Sequence, residues 1–521
     1  MSETIGTGEV PASGGAPDRA ESAWQIIREA LRGSRRDYTE GPIGRAVVLL
    51  AIPMVLEMVL ESVFAVVDVF WVSRLGADAV ATVGITESML ALIYAVAIGL
   101  SMGAAATVAR RIGEKNPDGA ARAAVQSIGL GVAVAVPIGI LGALFAPRLL
   151  SLMGGSPGVV SNGAPFTRIM LGANVVILLL FLINAIFRGA GDASIAMRSL
   201  WLANIINLVL DPCFIFGLGP FPKLGVVGAA VATTCGRGVG VLFQVWTLSR
   251  GRGRIVIRRE HMSLDPAAMW RLLRISGNGI FQVMIGTASW VGVVRLLSGF
   301  GSAVVAGYTI GIRIIVFAIL PSWGLSNAAA TLVGQNLGAG KPDRAERSVW
   351  IAALYNMIFL GSVGLLFVFF ARPLIGLFTK DPAITPFGVD CLRIISYGFL
   401  FYAFGMVMTQ AFNGAGDTWT PTRINLFIFW LWEIPLGYVL SRQFHWGPRG
   451  VFAAIAIAFS TSRMGLFSCL LTLLFLGAGL RLKSPHTGST AVALILIGLV
   501  VEFGLFRTLE ATTVRRWGMQ R

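Results

Sequence analysis

The sequence predicts an all-α polytopic membrane protein with twelve transmembrane helices, arranged as two pseudo-symmetric six-helix halves in a parallel repeat. The first observation is that only 13% of the 521 residues are charged, whereas soluble domains carry about 25%. The second is a mean hydropathy of +0.76, with apolar residues in runs long enough for membrane helices. The third is that sequences of the first half recur in the second. These features exclude an ordinary soluble enzyme, a disordered chain and a disulfide scaffold.

The chain begins with a polar tail, residues 1–45, which is predicted to contain one short amphipathic helix. Within Ala23–Arg32, helical spacing places Trp24, Ile27 and Leu31 on a single face, as in helices that lie at a membrane surface. A solvated tail without contact to the membrane is the alternative interpretation.

Twelve apolar segments are each long enough to cross a bilayer, because one helical span needs about 20 residues. Six belong to the N-terminal half, residues 46–248, and six belong to the C-terminal half, residues 275–480. In chain order the predicted spans are 46–72, 84–108, 120–146, 164–187, 196–216, 225–248, 275–297, 303–333, 349–371, 388–412, 421–441 and 450–480.

The C-terminal segment, residues 481–521, contains a further apolar run at 491–506 that is shorter and includes Glu502. This run is either an extra span or a helix that lies at the membrane interface. We favour the interfacial helix, because a span would export the four arginines that follow it, against the usual distribution of basic residues.

The basic residues of the loops predict the orientation of the bundle. Lys and Arg collect in cytoplasmic loops, and here they concentrate in alternate connections, such as the one that contains Arg188 and Arg198, and above all in the linker 249–274. Both ends of the twelve-helix bundle then face the cytoplasm. The net charge of +16 is therefore attributed to topology and to contact with membrane lipids, not to nucleic acid. We expect a monomer in the plasma (inner) membrane.

The repeat relates the two halves at an offset of 225 positions. The sequence that begins at Gly99 recurs at Gly324, and the Gly-Ala-Gly-Asp turn at 189–192 recurs at 414–417. Because each half has an even number of helices, both copies cross the membrane in the same direction and can enclose a cavity near the midplane. This arrangement is typical of transporters.

The sequence contains no nucleotide-binding, hydrolase or metalloprotease motif. We therefore expect a protein that is not an enzyme and that needs no cofactor. Transport without nucleotide hydrolysis is driven by an ion gradient or is passive.

Several of these motifs together resemble the multidrug and toxic compound extrusion (MATE) family, over about residues 40–480. The matching segments are Pro53 with the sequence from Val67 to Gly76, both Gly-Ala-Gly-Asp turns, Asn207 to Pro212, Gly225 to Thr233, and Gly334 to Gly338. The resemblance implies an antiporter that exports small amphipathic, often cationic compounds, including drugs, against H⁺ or Na⁺ by alternating access between its halves.

The resemblance also implies an ion or proton site in the N-terminal half, formed by Asp68, Asn207, Asp211 and Thr233. Asn207 and Asp211 are four residues apart and share a helix face. Oxygen ligands suit Na⁺, a hard cation, and two close carboxylates also suit a proton, so the coupling ion stays open. A structural hydrogen-bond network is the alternative. In that alternative, the bend of the first span at Pro53 serves only helix packing. In an antiporter, Pro53 lets ion binding change the bend of this helix.

Four further residues are candidates for the substrate cavity: Glu57, Glu61, Tyr402 and Glu433. Glu57 and Glu61 lie on one stripe of the first span. This stripe either faces the cavity and attracts cations or pairs with Arg295 or Arg313 of the other half. The acidic stripe disfavours a related function, the flipping of lipid-linked oligosaccharides, which goes with a more basic cavity. Export of a metabolite and a membrane-embedded enzyme are the remaining alternatives.

Overall fold

The computed structural model of the protein describes residues 23–34 and 36–461, which form long helices with no β-strand in those ranges. The N-terminal half comprises α1 Ala23–Arg32, α2 Ile43–Ser73, α3 Ala77–Gly113, α4 Pro117–Leu152, α5 Pro157–Gly172, α6 Asn174–Ala190, α7 Ala193–Phe216 and α8 Val226–Arg250. The C-terminal half comprises α9 Pro266–Ser298, α10 Ser302–Gly338, α11 Pro342–Gly376, α12 Thr385–Ser396, α13 Phe399–Gly414, α14 Trp419–Asn425, α15 Ile434–Tyr438 and α16 Pro448–Thr461. Two π-helical stretches, Leu426–Glu433 and Val439–Gln443, join α14, α15 and the end of that span.

The described helices account for eleven membrane spans. Ten continuous stretches are long and apolar enough, counting α5 with α6 as one and Trp419–Gln443 as another, and the pair α12 and α13, bent by 56°, makes the eleventh. The twelfth predicted span begins with α16, and its remainder lies outside the described residues, as does the run 491–506. The structure therefore confirms the predicted all-α architecture of two similar halves.

Several helices extend beyond the predicted apolar segments. The helix predicted from 275 begins instead at Pro266, because Asp265 caps it and accepts a hydrogen bond from the Ala267 N–H at 2.9 Å. A short 3₁₀ turn, Arg259–His261, precedes this cap. Hydropathy marks the part of a helix that lies in hydrocarbon, whereas caps decide where the helix ends.

The two Gly-Ala-Gly-Asp motifs end α6 and α13, as their glycines allow. Gly191 and Gly416 have φ angles of +89° and +85°, a left-handed conformation that glycine adopts without strain. Both turns lie at the same end of the bundle, which we call the basic end. It carries the connections 114–116, 191–192, 251–265, 339–341 and 415–418.

Glycines allow the two halves to pack closely. Gly99 of α3 lies against the backbone of Ile280 in α9, and its repeat mate Gly324 of α10 lies against the backbone of Met54 and Val55 in α2. Since Val55 and Ile280 are also 225 positions apart, the two contacts are related by the internal pseudo-symmetry. Small residues at such positions let helix backbones approach each other.

A second pair of symmetric glycine contacts closes the basic end. Gly113, the last residue of α3, lies against the carbonyl of Gln335, and Gly338, the last residue of α10, lies against the carbonyl of Arg110. A β-carbon at either glycine would collide with the opposite backbone. We call these four glycine contacts the glycine seam.

The segment before α2 crosses the seam and touches both halves. We call residues 29–34 and 36–40 the N-terminal strap. From the N-terminal half and the linker, Arg198 donates to the Leu31 carbonyl at 2.7 Å and Arg254 donates to the Arg36 carbonyl at 2.6 Å. The C-terminal half adds bonds from Lys341 and Arg344 to strap carbonyls, at 3.0 and 2.8 Å. The strap thus reinforces the closed basic end.

Candidate functional site

Three of the four predicted coupling residues form one hydrogen-bonded group between α7 and α8. The Asn207 amide lies between Asp211, four residues along α7, and Thr233 of α8. In the orientation that satisfies both neighbours, its nitrogen donates to Asp211 Oδ2 at 2.8 Å and its oxygen accepts from the Thr233 hydroxyl at 3.0 Å. Only 1% of the Asp211 surface is exposed. The group is therefore an internal polar site of the N-terminal half.

Close packing of α7 and α8 brings these side chains together. Gly236, three residues after Thr233, faces α7 so closely that a β-carbon there would lie 2.6 Å from the Ala203 carbonyl oxygen and 3.1 Å from Asn207 Cβ. Without a side chain at Gly236 the two helices approach, and Asn207 reaches across to Thr233.

The fourth predicted residue, Asp68 of α2, lies within electrostatic range of Asp211. Its Oδ1 atom is buried and has no hydrogen-bond partner among residues 23–34 and 36–461. Arg237 and Glu87 are its other charged neighbours. The structure therefore brings the predicted set to one place, where a carboxylate oxygen is free to accept a proton or a cation.

Glu61 is held by an arginine that the sequence analysis missed. Arg237 of α8 lies with Nη2 3.7 Å from Glu61 Oε1 and donates to the Tyr94 hydroxyl at 2.9 Å. Asn204 donates to the other carboxylate oxygen at 3.1 Å. Only 5% of the Arg237 surface is exposed. The available signal was an arginine in the middle of an apolar segment, since such a residue requires a partner.

Glu57 also pairs within its own half. Arg188 Nη1 lies 2.7 Å from Glu57 Oε1, and Asn184 donates to the same oxygen at 3.1 Å. The suggested pairing of Glu57 and Glu61 with Arg295 or Arg313 is therefore wrong. Arg188, assigned to a loop because the apolar run stops at 187, belongs to the last turn of α6 and points into the bundle.

A cavity of about 290 Å³ lies between the two halves, next to these ion pairs. Its polar lining includes Glu57, Glu61, Ser101, Arg188, Asn327, Gln410 and Asn413. Its apolar and aromatic lining includes Met58, Tyr94, Phe181, Leu320 and Trp323. Aromatic and methionine side chains around a few placed polar groups are typical of small-molecule sites.

Two predicted cavity residues are not in this lining. Tyr402 stacks on Phe459 with ring centroids 4.0 Å apart, in the core of the C-terminal half. Glu433 ends the first π-helical stretch and is 5% exposed. The structure therefore separates both residues from Glu57 and Glu61. Pro53 lies inside α2, which continues as one helix on both sides of it.

Comparison with known proteins places the chain among membrane transporters. The sequence profile of the family described as MatE matches residues 53–213 and 278–439, one match in each half. Together the two matches cover more than half of the chain. The first match contains Asp68, Asn207 and Asp211, whereas Thr233 lies outside both matches.

Individual relatives agree with this match. The chain is 27% identical over 415 residues to a probable multidrug resistance protein NorM of Thermotoga maritima, covering 79% of this chain and 88% of the relative. It is 26% identical over 432 residues to the FAD transporter of Shewanella oneidensis, covering 81% and 93%. A solved structure of a multidrug resistance MATE family transporter in an outward-facing conformation has a TM-score of 0.76 and 27% identity, covering 88% and 99%.

Proposed function

The chain belongs to the MatE family of multidrug efflux transporters, and from this premise we propose that it is an antiporter that exports small amphipathic compounds in exchange for H⁺ or Na⁺. One observation carries the proposal. The N-terminal half contains two neighbouring carboxylates, the buried Asp211 and the partly buried Asp68, and one buried oxygen of Asp68 has no partner among the described residues. Such an arrangement is costly in a membrane protein unless it binds a proton or a cation.

The proposed coupling site works by relief of charge repulsion. Asn207 and Thr233 hold Asp211 in place, and Asp68 approaches it from α2. A proton or Na⁺ that enters between the carboxylates reduces their repulsion and draws α2 towards α7. Since Glu57 and Glu61 of α2 line the cavity, this movement changes the shape of the substrate site.

The seam and the strap support alternating access. Both close the basic end, which the excess of Lys and Arg assigns to the cytoplasm. A cavity between two similar halves opens to either side when the halves rock against each other, so export requires the seam to separate. The state described here is closed at the basic end.

Dye transport in liposomes tests the proposal directly. Purified protein is reconstituted with a fluorescent amphipathic dye, and an imposed ΔpH, an imposed ΔNa⁺ and no gradient are compared. We expect gradient-driven dye movement with one of the two ions. Asp68→Asn and Asp211→Asn should abolish it, because an amide does not take up a proton and lacks the negative charge that attracts Na⁺.

Asp78→Asn is the matched control, since it changes the same residue type in the same half at an exposed position at the start of α3. This variant should transport normally. Gradient-driven transport at wild-type rates by both Asp68→Asn and Asp211→Asn would contradict the coupling mechanism. The hydrogen-bonded group around Asn207 would then have only a structural role.

A second candidate is export of an anionic metabolite. The observation in its favour is that two arginines, Arg188 and Arg237, stand beside the cavity. The similar protein of Shewanella oneidensis is an FAD transporter. Movement of FAD, with no movement of the dye, in the same liposomes would favour this alternative.

A further inference from the structure

Arg237 of α8 faces two acids of α2 that belong to different sites. Its Nη2 atom is 3.7 Å from Oε1 of Glu61, which lines the cavity, and its charge is within electrostatic range of Asp68 in the proposed coupling site. Its guanidinium carbon lies 5.9 Å from the centre of the Phe64 ring. Glu61, Phe64 and Asp68 share one face of α2, because they are three and then four residues apart. Arg237 therefore lies against the stretch of α2 that joins the two acids.

The same three helices, α2, α7 and α8, build both sites in successive layers. On α7, Asn204 donates to Glu61 at 3.1 Å, and Asn207 of the coupling group follows three residues later. On α8, Arg237 is four residues from Thr233, so both side chains lie on one face of that helix. Arg237 thus belongs to the cavity layer and stands next to the coupling layer.

The contact between Arg237 and Glu61 is longer than a fully formed ion pair. Charge-assisted hydrogen bonds from nitrogen to a carboxylate measure about 2.7–2.9 Å. Four residues earlier on α2, Glu57 meets Arg188 at 2.7 Å, whereas the distance from Arg237 to Glu61 is 3.7 Å. The short hydrogen bond of Arg237 goes to the Tyr94 hydroxyl, at 2.9 Å. The guanidinium charge is therefore not committed to Glu61.

The charges around Arg237 give it two alternative carboxylate partners. From α2 it faces Glu61 and Asp68. Asp68 itself faces two further carboxylates, Asp211 of α7 and Glu87 of α3. Arg237 is thus a cation next to a group of acids at the coupling site and next to an acid of the cavity. A proton or Na⁺ that binds at the coupling site competes with it.

We propose that Arg237 is a positioning residue that couples the two sites, by neutralising Asp68 when the coupling ion is absent and Glu61 when the ion is bound. The bound ion removes the attraction of Arg237 to Asp68, and the guanidinium then closes on Glu61. The cavity loses a negative charge, and a cationic substrate is released. By linkage, a cationic substrate beside Glu61 weakens ion binding by the same factor. This inference rests on the proposed antiport and specifies how the ion expels a cationic cargo.

Ethidium, a fluorescent compound with a permanent positive charge, measures this coupling in the purified full-length protein without any gradient. Its dissociation constant is determined in K⁺ and in Na⁺ at equal ionic strength, and at about pH 8 and about pH 6. We expect one of the two ions to weaken ethidium binding by about tenfold, a factor typical of coupled sites.

Arg237→Gln removes the shared cation. Without the ion it should bind ethidium about fivefold more tightly than the wild type, because Glu61 has lost its internal competitor, and the ion effect should fall below about threefold. A merely structural role of Arg237 predicts the opposite, which is weaker binding in every condition. Arg237→Lys keeps the positive charge and should retain the ion effect within about twofold of the wild type.

Glu61→Gln tests the same switch from the cavity side, and it creates no unpaired buried charge because Arg237 keeps Asp68 as a partner. The ion should then change ethidium binding by less than about twofold, since Arg237 has no second carboxylate to move to. Arg295→Gln is the matched control, because it changes the same residue type as Arg237→Gln at an exposed position of α9 outside the cavity lining. It should leave the ethidium affinity and the ion effect unchanged.

Four results would overturn the switch: an ion effect of wild-type size in Arg237→Gln or in Glu61→Gln, weaker ethidium binding by Arg237→Gln in every condition, equal ethidium affinity of the wild type with and without either ion, or no saturable ethidium binding. Failure of the antiporter proposal is distinct. It appears as displacement of ethidium by the ion, in a manner that depends on Arg237, without gradient-driven transport in liposomes.

Discussion

The two halves share one scaffold but differ in their buried charges. The glycine seam is symmetric, with Gly113 and Gly338 in equivalent contacts. At the proposed coupling site the symmetry ends, because the positions that correspond to Asp68 and Asp211 in the C-terminal half are Val293 and Leu436. Buried carboxylates in a membrane bundle are costly, so a half that does not bind the proposed coupling ion can carry apolar residues at these two positions.

The same contrast appears at the ion pair beside the cavity. The pair Glu57 and Arg188 corresponds to Gln282 and Asn413 in the C-terminal half. One half thus holds a buried ion pair where the other holds two neutral amides. The comparison teaches that the interface between the halves is symmetric, whereas the two carboxylates of the proposed coupling site and the ion pair beside the cavity belong to the N-terminal half.

The largest expected effect comes from breaking the ion pair on one side only. Glu57→Leu leaves Arg188 with a buried, unpaired charge, and we expect the free energy of unfolding to fall by about 3–5 kcal/mol. Gln282→Leu is the matched change in the other half. Because Gln282 Oε1 already has no partner in the described part of the chain, its loss should change stability by less than about 1 kcal/mol.

Thermal unfolding of both variants in the same detergent measures this difference. A similar loss in the two variants would mean that the positions are equivalent despite their different residues. The two halves would then differ in sequence at these positions without differing in what the residues contribute to the free energy of unfolding.

A second test compares the buried acids of the two halves in transport. Asp211→Asn should reduce gradient-driven dye exchange by about 100-fold, since the carboxylate that we propose binds the coupling ion is lost. Glu433→Gln should leave the rate within about threefold, because Glu433 lies apart from Asp68 and from the central cavity. The initial rate under an imposed gradient is the measurement. A comparable loss in Glu433→Gln would assign a coupling role to the C-terminal half as well.

Sequence reasoning predicted the helices and part of the site for physical reasons. Apolar runs determine where helices lie in a membrane, and the four-residue spacing of Asn207 and Asp211 places both on one helix face. The contact between Asn207 and Asp211 was therefore predictable, whereas Thr233 was added by the resemblance to a known family. The internal repeat marked Gly99 and Gly324, two of the four glycines of the seam, although the contacts of these residues were not predictable.

The ion pairs were not predictable in the same way. Arg188 stands just after an apolar run, so hydropathy assigned it to a loop, although α6 continues to Ala190. Which arginine meets Glu57 or Glu61 depends on the rotation and depth of neighbouring helices, which apolar runs leave undetermined. Arg237 could have been recognised, because a buried arginine in a span needs an acidic partner.

The symmetric part of the comparison predicts equal effects. Gly113→Ala and Gly338→Ala each place a β-carbon against a backbone carbonyl of the other half, so each should lower the free energy of unfolding by about 1–3 kcal/mol. The two losses should agree within about 0.5 kcal/mol. Gly84→Ala, at a helical glycine with open space, is the control. Clearly unequal losses would show that the two glycine contacts contribute unequally to the free energy of unfolding, although their geometry is symmetric.

The smallest expected effect concerns the N-terminal strap, which joins the two halves outside the membrane. Burial raises the pKa of Asp37, but hydrogen bonds from the Thr39 side chain and backbone and from Lys115 outweigh it and hold the pKa below its ordinary value of 3.8. Burial also raises the pKa of Glu29, but hydrogen bonds from the side chains of Ser34, Arg45 and Arg36 outweigh this effect. The pKa of Glu29 therefore lies below its ordinary value of 4.5. The two carboxylates therefore contribute fully to the stability of the strap when the pH is above their ordinary pKa values. This contribution is lost as the pH falls through their lower pKa values in the folded protein.

Each carboxylate is partly exposed, so its contribution should be less than about 1 kcal/mol. Hydrogen exchange of the strap amides, corrected for intrinsic rates, should show stable protection from pH 7 to about pH 4.5 and weaker protection below. Asp37→Asn should reduce the protection at neutral pH and flatten its fall in acid, with the glycine seam unaffected. If acid exposed the seam and the strap together, the strap would be part of the interface between the halves and not a separate bridge across it.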